Sequence, residues 1–159
     1  MNHDTYEDRY VREILAATRT IAMVGASPNW NRPSYFVMKY LQLKGFRVVP
    51  VNPRAEGEVI LGEPTYASLG AAPDAIDMVD VFRSAKEAME IAKQAIAKNA
   101  KFLWMQIGVR NDDAARLAED AGLRVVMNRC PKIEYSRLHG ELSWGGFNSG
   151  VISSKRRKI

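Results

Sequence analysis

The chain is short of the residues that build disulfide and metal frameworks. Cys130 is its single cysteine among 159 residues, which excludes an internal disulfide and suits a reducing compartment. Its two histidines, His3 and His139, stand far apart with no clustered Cys/His ligands, so the spacing of a structural zinc site is missing. No apolar run approaches the length that spans a bilayer. Met1 to Asp8 is polar and acidic, without the basic and apolar stretches of a signal peptide, so a cytoplasmic protein is expected. The basic excess is also less than it looks. Of the formal charge of +5, four units lie in Lys155, Arg156, Arg157 and Lys158, which leaves +1 for the rest. Nucleic acid is therefore not the expected partner, although the terminal run keeps that alternative open.

What is present is a repeated alternation of short apolar runs and helical patterns. Tyr6, Tyr10, Ile14 and Leu15 share one helical face, predicting an N-terminal helix over 5–18. Thr20–Val24 reads as a buried strand ending at Gly25, and a helix is predicted from Pro33 or Ser34 to Gly45. Phe46–Val51 is the second predicted strand, with a short extended piece at Val59–Leu61 and a helical turn over Tyr66–Leu69. Ile76–Phe82 is the third strand. Ser84 and Glu87 have the spacing of a capping box for a helix over Ala85–Lys98. Phe102–Gln106 and Leu123–Met127 are the fourth and fifth strands, separated by a helix capped by Asn111 or Asp112. Strand and helix alternating at this spacing require crossover connections. The predicted fold is α/β, a Rossmann-type three-layer arrangement with a parallel sheet of five strands or slightly more. The domain is expected over 1–139, and 140–159 is read as an irregular extension with a basic end. Trp144 and Phe147 in that extension raise the expectation of a homodimer interface.

In such a sheet ligands bind beyond the carboxyl ends of the strands. Those ends are Gly25-Ala26-Ser27, Asn52-Pro53-Arg54, Phe82-Arg83, Gln106-Ile107-Gly108 and Asn128-Arg129-Cys130. The first leads into a helix N-terminus, where free amide hydrogens favour an anion; Ser27 adds a hydroxyl and Arg32 a charge. It lacks the three-glycine dinucleotide fingerprint. The second lacks the carboxylate with which NAD sites hold the ribose, and offers Arg54, which suits a phosphorylated ribose such as that of NADP or coenzyme A. No Ser-His-Asp order or paired carboxylates supply a catalytic set. Asp77 and Asp80 point to opposite faces of their strand, and His139 is expected to be a surface or packing residue. Cys130 reads as a small buried apolar residue, with a reactive thiol as the alternative. Trp30 and Tyr35 either flank a ligand or pack.

Taken together, Ile21–Ser27 followed by Arg32-Pro33-Ser34-Tyr35, then Val48–Pro53, Leu61-Gly62-Glu63, Val79–Arg83, Leu103–Val109 and Asn128–Pro131, resemble the CoA-binding domain family, its small stand-alone bacterial members above all. The resemblance runs over about residues 8–139. The same domain begins the succinyl-CoA synthetase alpha subunit and the ADP-forming acyl-CoA synthetases. The resemblance implies that Gly25, Ala26 and Ser27 hold the CoA phosphates with Arg32 nearby, and that Val51, Asn52, Pro53 and Arg54 sit by the adenosine and its phosphate. It further implies that Val81, Phe82, Arg83, Met105 and Gln106 line the way to the pantetheine. Asn128 to Pro131 resembles the Asn-Cys-Pro turn of the synthetases, with Arg129 inserted before Cys130. In the synthetases the phosphorylated histidine and the nucleotide-binding grasp domain lie in further domains. The expectation here is a module that binds coenzyme A or an acyl-CoA without ligase chemistry of its own. An NADP- or other nucleotide-dependent enzyme on the same fold is the alternative.

Overall fold

The computed structural model of the chain describes residues 1–141. In chain order they form α1 (Asp8–Ala17), β1 (Thr20–Val24), α2 (Pro33–Leu43), β2 (Arg47–Val51), a 3₁₀ turn (Pro53–Ala55), a hairpin of β3 (Val59–Ile60) and β4 (Glu63–Pro64), β5 (Met78–Val81), α3 (Ala88–Ala97), β6 (Phe102–Met105), α4 (Asp112–Asp120), β7 (Arg124–Val126) and α5 (Pro131–Leu138). The main sheet is parallel throughout, in the order β2-β1-β5-β6-β7. The chain moves outward from β1 to β2, then returns to the other side of β1 to lay down β5. The order therefore reverses between β1 and β5, and that is where an open α/β sheet leaves a crevice.

Helices cover both faces, which is why the strands read as continuous apolar runs. Val11, Ile14, Met38 and Leu41 from α1 and α2 pack with Met23, Trp104 and Leu138 on one face. On the other, Ala88, Ala92 and Ala95 of α3 and Ala114, Ala115 and Ala118 of α4 pack with Val79, Val81, Leu103 and Met105. Alanine on both helices lets them lie close together and on the sheet. Trp104 is wholly buried, and its indole N–H donates to the Arg129 carbonyl at 2.9 Å.

β7 is an outer strand, and side chains rather than a neighbouring strand satisfy its free edge. Val125 N–H donates to Tyr10 Oη at 3.1 Å, Tyr10 Oη donates to Val125 O at 3.0 Å, and Met127 N–H donates to Tyr6 Oη at 2.7 Å. Burial of both hydroxyls pushes these phenols above their ordinary value, Tyr6 to about 12. They remain neutral, able both to donate and to accept.

Several expectations need correction. The N-terminal helix starts at Asp8, because Tyr6 is used at the β7 edge. Tyr66–Leu69 is not helical. Tyr66 bridges Val51, its N–H donating to Pro50 O and its carbonyl accepting from Asn52 N, so its backbone is committed to the edge of β2. α3 begins at Ala88, three residues later than expected. Glu87 folds back to accept from Ser84 N at 3.0 Å and Ser84 Oγ at 2.8 Å, and the regular helix follows it. α5 was not anticipated, although Pro131 in its first turn is a helix-start signal. The expected extension over 140–159, with Trp144, Phe147 and the basic run, lies outside the described residues apart from Gly140 and Glu141.

Candidate functional site

Gly25 terminates β1 at the point where the strand order reverses. Its φ is +95°, and a Cβ there would stand 2.5 Å from the Phe82 carbonyl oxygen. The loops after β1 and β5 therefore touch backbone to backbone, which only glycine allows. Beyond it the β1–α2 loop is tied to itself. Ser27 N–H donates to the buried Ser34 Oγ at 3.1 Å, and Ser27 Oγ accepts from Asn29 N–H at 3.1 Å. The Ser27 hydroxyl hydrogen stays available beside the first turn of α2.

Asn52 holds three of the predicted segments together. Its Nδ2 donates to Ala26 O at 2.8 Å, and its Oδ1 accepts from Arg54 N–H at 3.0 Å and Arg83 Nη2 at 3.3 Å. The loops after β1, β2 and β5 thus meet at one side chain. Among the described residues Arg32, Arg54 and Arg83 make no ion pair with a carboxylate. Arg47, Arg110 and Arg137, elsewhere on the molecule, pair with Glu63, Asp4 and Asp8, while Arg12 and Arg129 bond to main-chain carbonyls. Glu87, held below the ordinary carboxyl range mainly by the Ser84 hydroxyl, also feels the charges of Arg83 and Arg54. The edge carries arginines without ion-pair partners, an arrangement suited to phosphate. The expected supply of free amide hydrogens is reduced, because Gly25, Ser27, Asn29 and Arg32 N–H already donate to Val51 O, Ser34 Oγ, Ser27 Oγ and Asn29 O.

The loops after β6 and β7 form the other half of the edge. Asn128, in the left-handed region at φ +54°, accepts from Gly108 N–H at 2.8 Å. Cys130 caps α5 and is buried, and burial pushes its thiol above the ordinary range. Trp30 and Ile107 are among the most exposed large apolar side chains, at 71% and 60%, both on loops of this edge. Not every predicted side chain faces outward. Met105, Val51 and Ala26 are buried in the core, so they offer the edge only main-chain atoms. Beside Met105 it is Gln106 that reaches the edge.

Asp80, which the sequence places only on the strand face opposite Asp77, carries a buried polar group beside the edge. It sits in mid-β5, wholly buried, and both its carboxyl oxygens accept from Gln106 Nε2, at 3.0 and 3.1 Å. Burial pushes its carboxyl up to about 7, against the opposing effect of the Gln106 hydrogen bonds. The available signal was a lone aspartate inside the apolar run Val79-Asp80-Val81. Asp77 lies at the opposite edge, accepting from Arg19 N–H at 2.9 Å and Thr20 N–H at 3.1 Å and pairing with Lys101. His139 stacks on Tyr135 at 3.9 Å and shares a depression with Arg19, which precedes β1. Neither belongs to the candidate site. Among the described residues no group of three or more His, Cys, Asp or Glu side chains could hold a metal ion, and no helix is long and apolar enough to cross a membrane.

Comparison with known proteins establishes the family and the fold. The chain is 32% identical over 126 residues to the uncharacterized protein YneT of Bacillus subtilis (strain 168), covering 79% of this chain and 92% of that protein. It is 31% identical over 139 residues to acetate–CoA ligase [ADP-forming] II of Archaeoglobus fulgidus, covering 86% of this chain but 19% of the ligase. A solved structure of a hypothetical protein from Pyrococcus horikoshii OT3 superposes with a TM-score of 0.81 at 43% identity, over 88% of this chain and 97% of that one. The model of the CoA binding domain matches residues 19–136, and the chain belongs to that family.

Proposed function

We propose that this chain binds coenzyme A or an acyl-CoA along the carboxyl edge of its sheet, as a cytoplasmic binding module without ligase chemistry of its own. The reading rests above all on the Asn52 hub, which joins the loops after β1, β2 and β5 and where Arg54 and Arg83 stand without an ion pair among the described residues, with Arg32 at the start of α2. Coenzyme A carries a diphosphate and a ribose 3′-phosphate, and these cations match that charge. The diphosphate lies against Gly25, Ala26 and Ser27 at the start of α2, with Arg32 beside it. The ribose phosphate lies by Pro53 and Arg54. The pantetheine arm runs past Phe82, Arg83 and Gln106 toward Asn128 and Cys130. Family membership and the ligase relative's name support coenzyme A over other phosphorylated ligands.

Isothermal titration with CoA, dephospho-CoA and NADP tests the reading. CoA is expected to bind more tightly than dephospho-CoA. Arg54→Ala is expected to weaken CoA by about tenfold, as for one lost charged hydrogen bond, and to narrow the gap between the two ligands. NADP binding without CoA binding would overturn the proposal in favour of a nucleotide-dependent enzyme.

A further inference from the structure

Gln106 follows the last residue of β6. Because Val81 pairs with Met105, Gln106 comes opposite Phe82, at the carboxyl edge of the sheet. Two residues before it, Trp104 pairs with Asp80, so Asp80, Trp104 and Gln106 project from the same face of the sheet. The Gln106 amide nitrogen donates to both Asp80 oxygens, at 3.0 and 3.1 Å. An ionised carboxylate only accepts, so it selects the NH₂ end of the amide and turns Oε1 the other way. Among the described residues, the buried side-chain polar atoms without a hydrogen bond are Thr65 Oγ1 and His3 Nε2, the latter 3.1 Å from Glu119 Oε1. Gln106 Oε1 accepts no hydrogen bond from the described residues and is not one of these. It therefore keeps some exposure, although the residue as a whole is 6% exposed. With its NH₂ end held by a buried acid, the amide keeps one orientation, with Oε1 on the side away from Asp80.

We infer that Asp80 is a positioning residue: it fixes the Gln106 amide so that Oε1 accepts an N–H of the pantetheine arm. The inference rests on the coenzyme A reading above and deepens it. The pantetheine arm carries two amide N–H groups, whereas phosphates accept; the adenine amino group, the other N–H donor of coenzyme A, is shared by adenosine 3′,5′-bisphosphate, so the comparison of the two ligands separates it from the arm. Without Asp80 the amide turns freely, and its NH₂ end faces a ligand N–H part of the time.

The test is isothermal titration of the full chain at pH 8 with CoA and with adenosine 3′,5′-bisphosphate, which lacks the arm. Gln106→Met keeps the side-chain length and removes the acceptor. It is expected to weaken CoA about five- to tenfold while leaving the bisphosphate within about twofold. Asp80→Leu is expected to weaken CoA alone, and to add nothing in the Gln106→Met background, because both changes remove the same contact. Should Asp80→Leu not fold, Asp80→Asn takes its place. Its amide N–H groups compete for Oε1, so it too is expected to weaken CoA and spare the bisphosphate. Unchanged CoA affinity in Gln106→Met, equal weakening of both ligands, or additive effects at the two positions would each overturn the inference. So would wild-type protein that binds the bisphosphate as tightly as CoA, and this would leave the coenzyme A site itself standing. Wild-type protein that binds neither ligand overturns the coenzyme A reading along with it.

Discussion

Asp80 should make this protein less stable as the pH rises. Its carboxyl is wholly buried in the central strand β5, and burial pushes it from 3.8 up to about 7. In the unfolded chain it titrates near its ordinary value of about 4. The folded state thus holds this proton more tightly than the unfolded one. The group's contribution to stability is fully present below pH about 4, declines as pH rises through about 7, and is lost above it. The difference corresponds to about 4 kcal/mol, a large share of the roughly 5–15 kcal/mol that separates folded from unfolded domains. Urea unfolding followed by far-ultraviolet circular dichroism between pH 5 and 8.5 captures roughly two-thirds of it, the rest being lost already below pH 5. The wild-type midpoint should fall across that window with little change in slope. Asp80→Asn, of the same shape but without charge, should lack this part of the fall. It should unfold close to wild type at pH 5 and at higher urea than wild type at pH 8.5. The window lies below the ordinary 9.0 of the Cys130 thiol, which burial raises further, so that group does not contribute. A pH dependence as steep in Asp80→Asn as in wild type would refute the assignment.

Two further predictions concern the frame around the site. Gly25→Ala combines a left-handed backbone with a Cβ 2.5 Å from a main-chain oxygen, and should cost at least about 3 kcal/mol. Gly57→Ala, at φ +80° with open space around it, should cost only the backbone part, about 1 kcal/mol, and thermal unfolding of the two variants tests the difference. Tyr10→Phe strips both the N–H and the carbonyl of Val125 of their partner, and should cost about 1–3 kcal/mol. It should speed hydrogen exchange at the Val125 amide ahead of the amides of β1 and β5. Unchanged exchange there would show that the tyrosine does not guard the edge.

The parallel sheet was legible in the sequence because strands buried on both faces announce themselves by composition alone. Val48, Val49 and Val51, or Phe102 to Met105, require no knowledge of their neighbours to be read as strands. The helices fared less evenly. α2 and α4 carry their own boundary signals, Pro33 in the first turn and Asn111 accepting from Ala114 N–H. α5 has a weak apolar face and was hidden behind the synthetase-like turn that precedes it. Tyr66 was misread for a different reason. A short apolar stretch is compatible with a helical turn until the edge of β2 supplies partners for its N–H and carbonyl, and no local pattern records that. Tyr6 and Tyr10 fit a helical face equally well; only the tertiary fold turns their hydroxyls into the missing neighbours of β7.

The candidate site divides along the same line. Strand ends named its five segments, because topology fixes where those ends gather. What joins the segments is side-chain pairing across long sequence separations, which periodicity does not encode. Asn52 was read for the carboxylate it is not, whereas in the fold it bonds to Ala26, 26 residues before it, and to Arg83, 31 residues after it. Asp80 meets Gln106 across 26 residues, through a register that exists only once β5 and β6 pair. Its position is also the one where local rules and the fold conflict. An apolar side chain in mid-β5 would spare the cost of burying a carboxyl, and the neighbouring Val79 and Val81 show what the strand otherwise uses. A residue that lowers stability where a valine would serve calls for a local reason. The Gln106 amide, gripped by both carboxyl oxygens at the carboxyl edge of the sheet, supplies one.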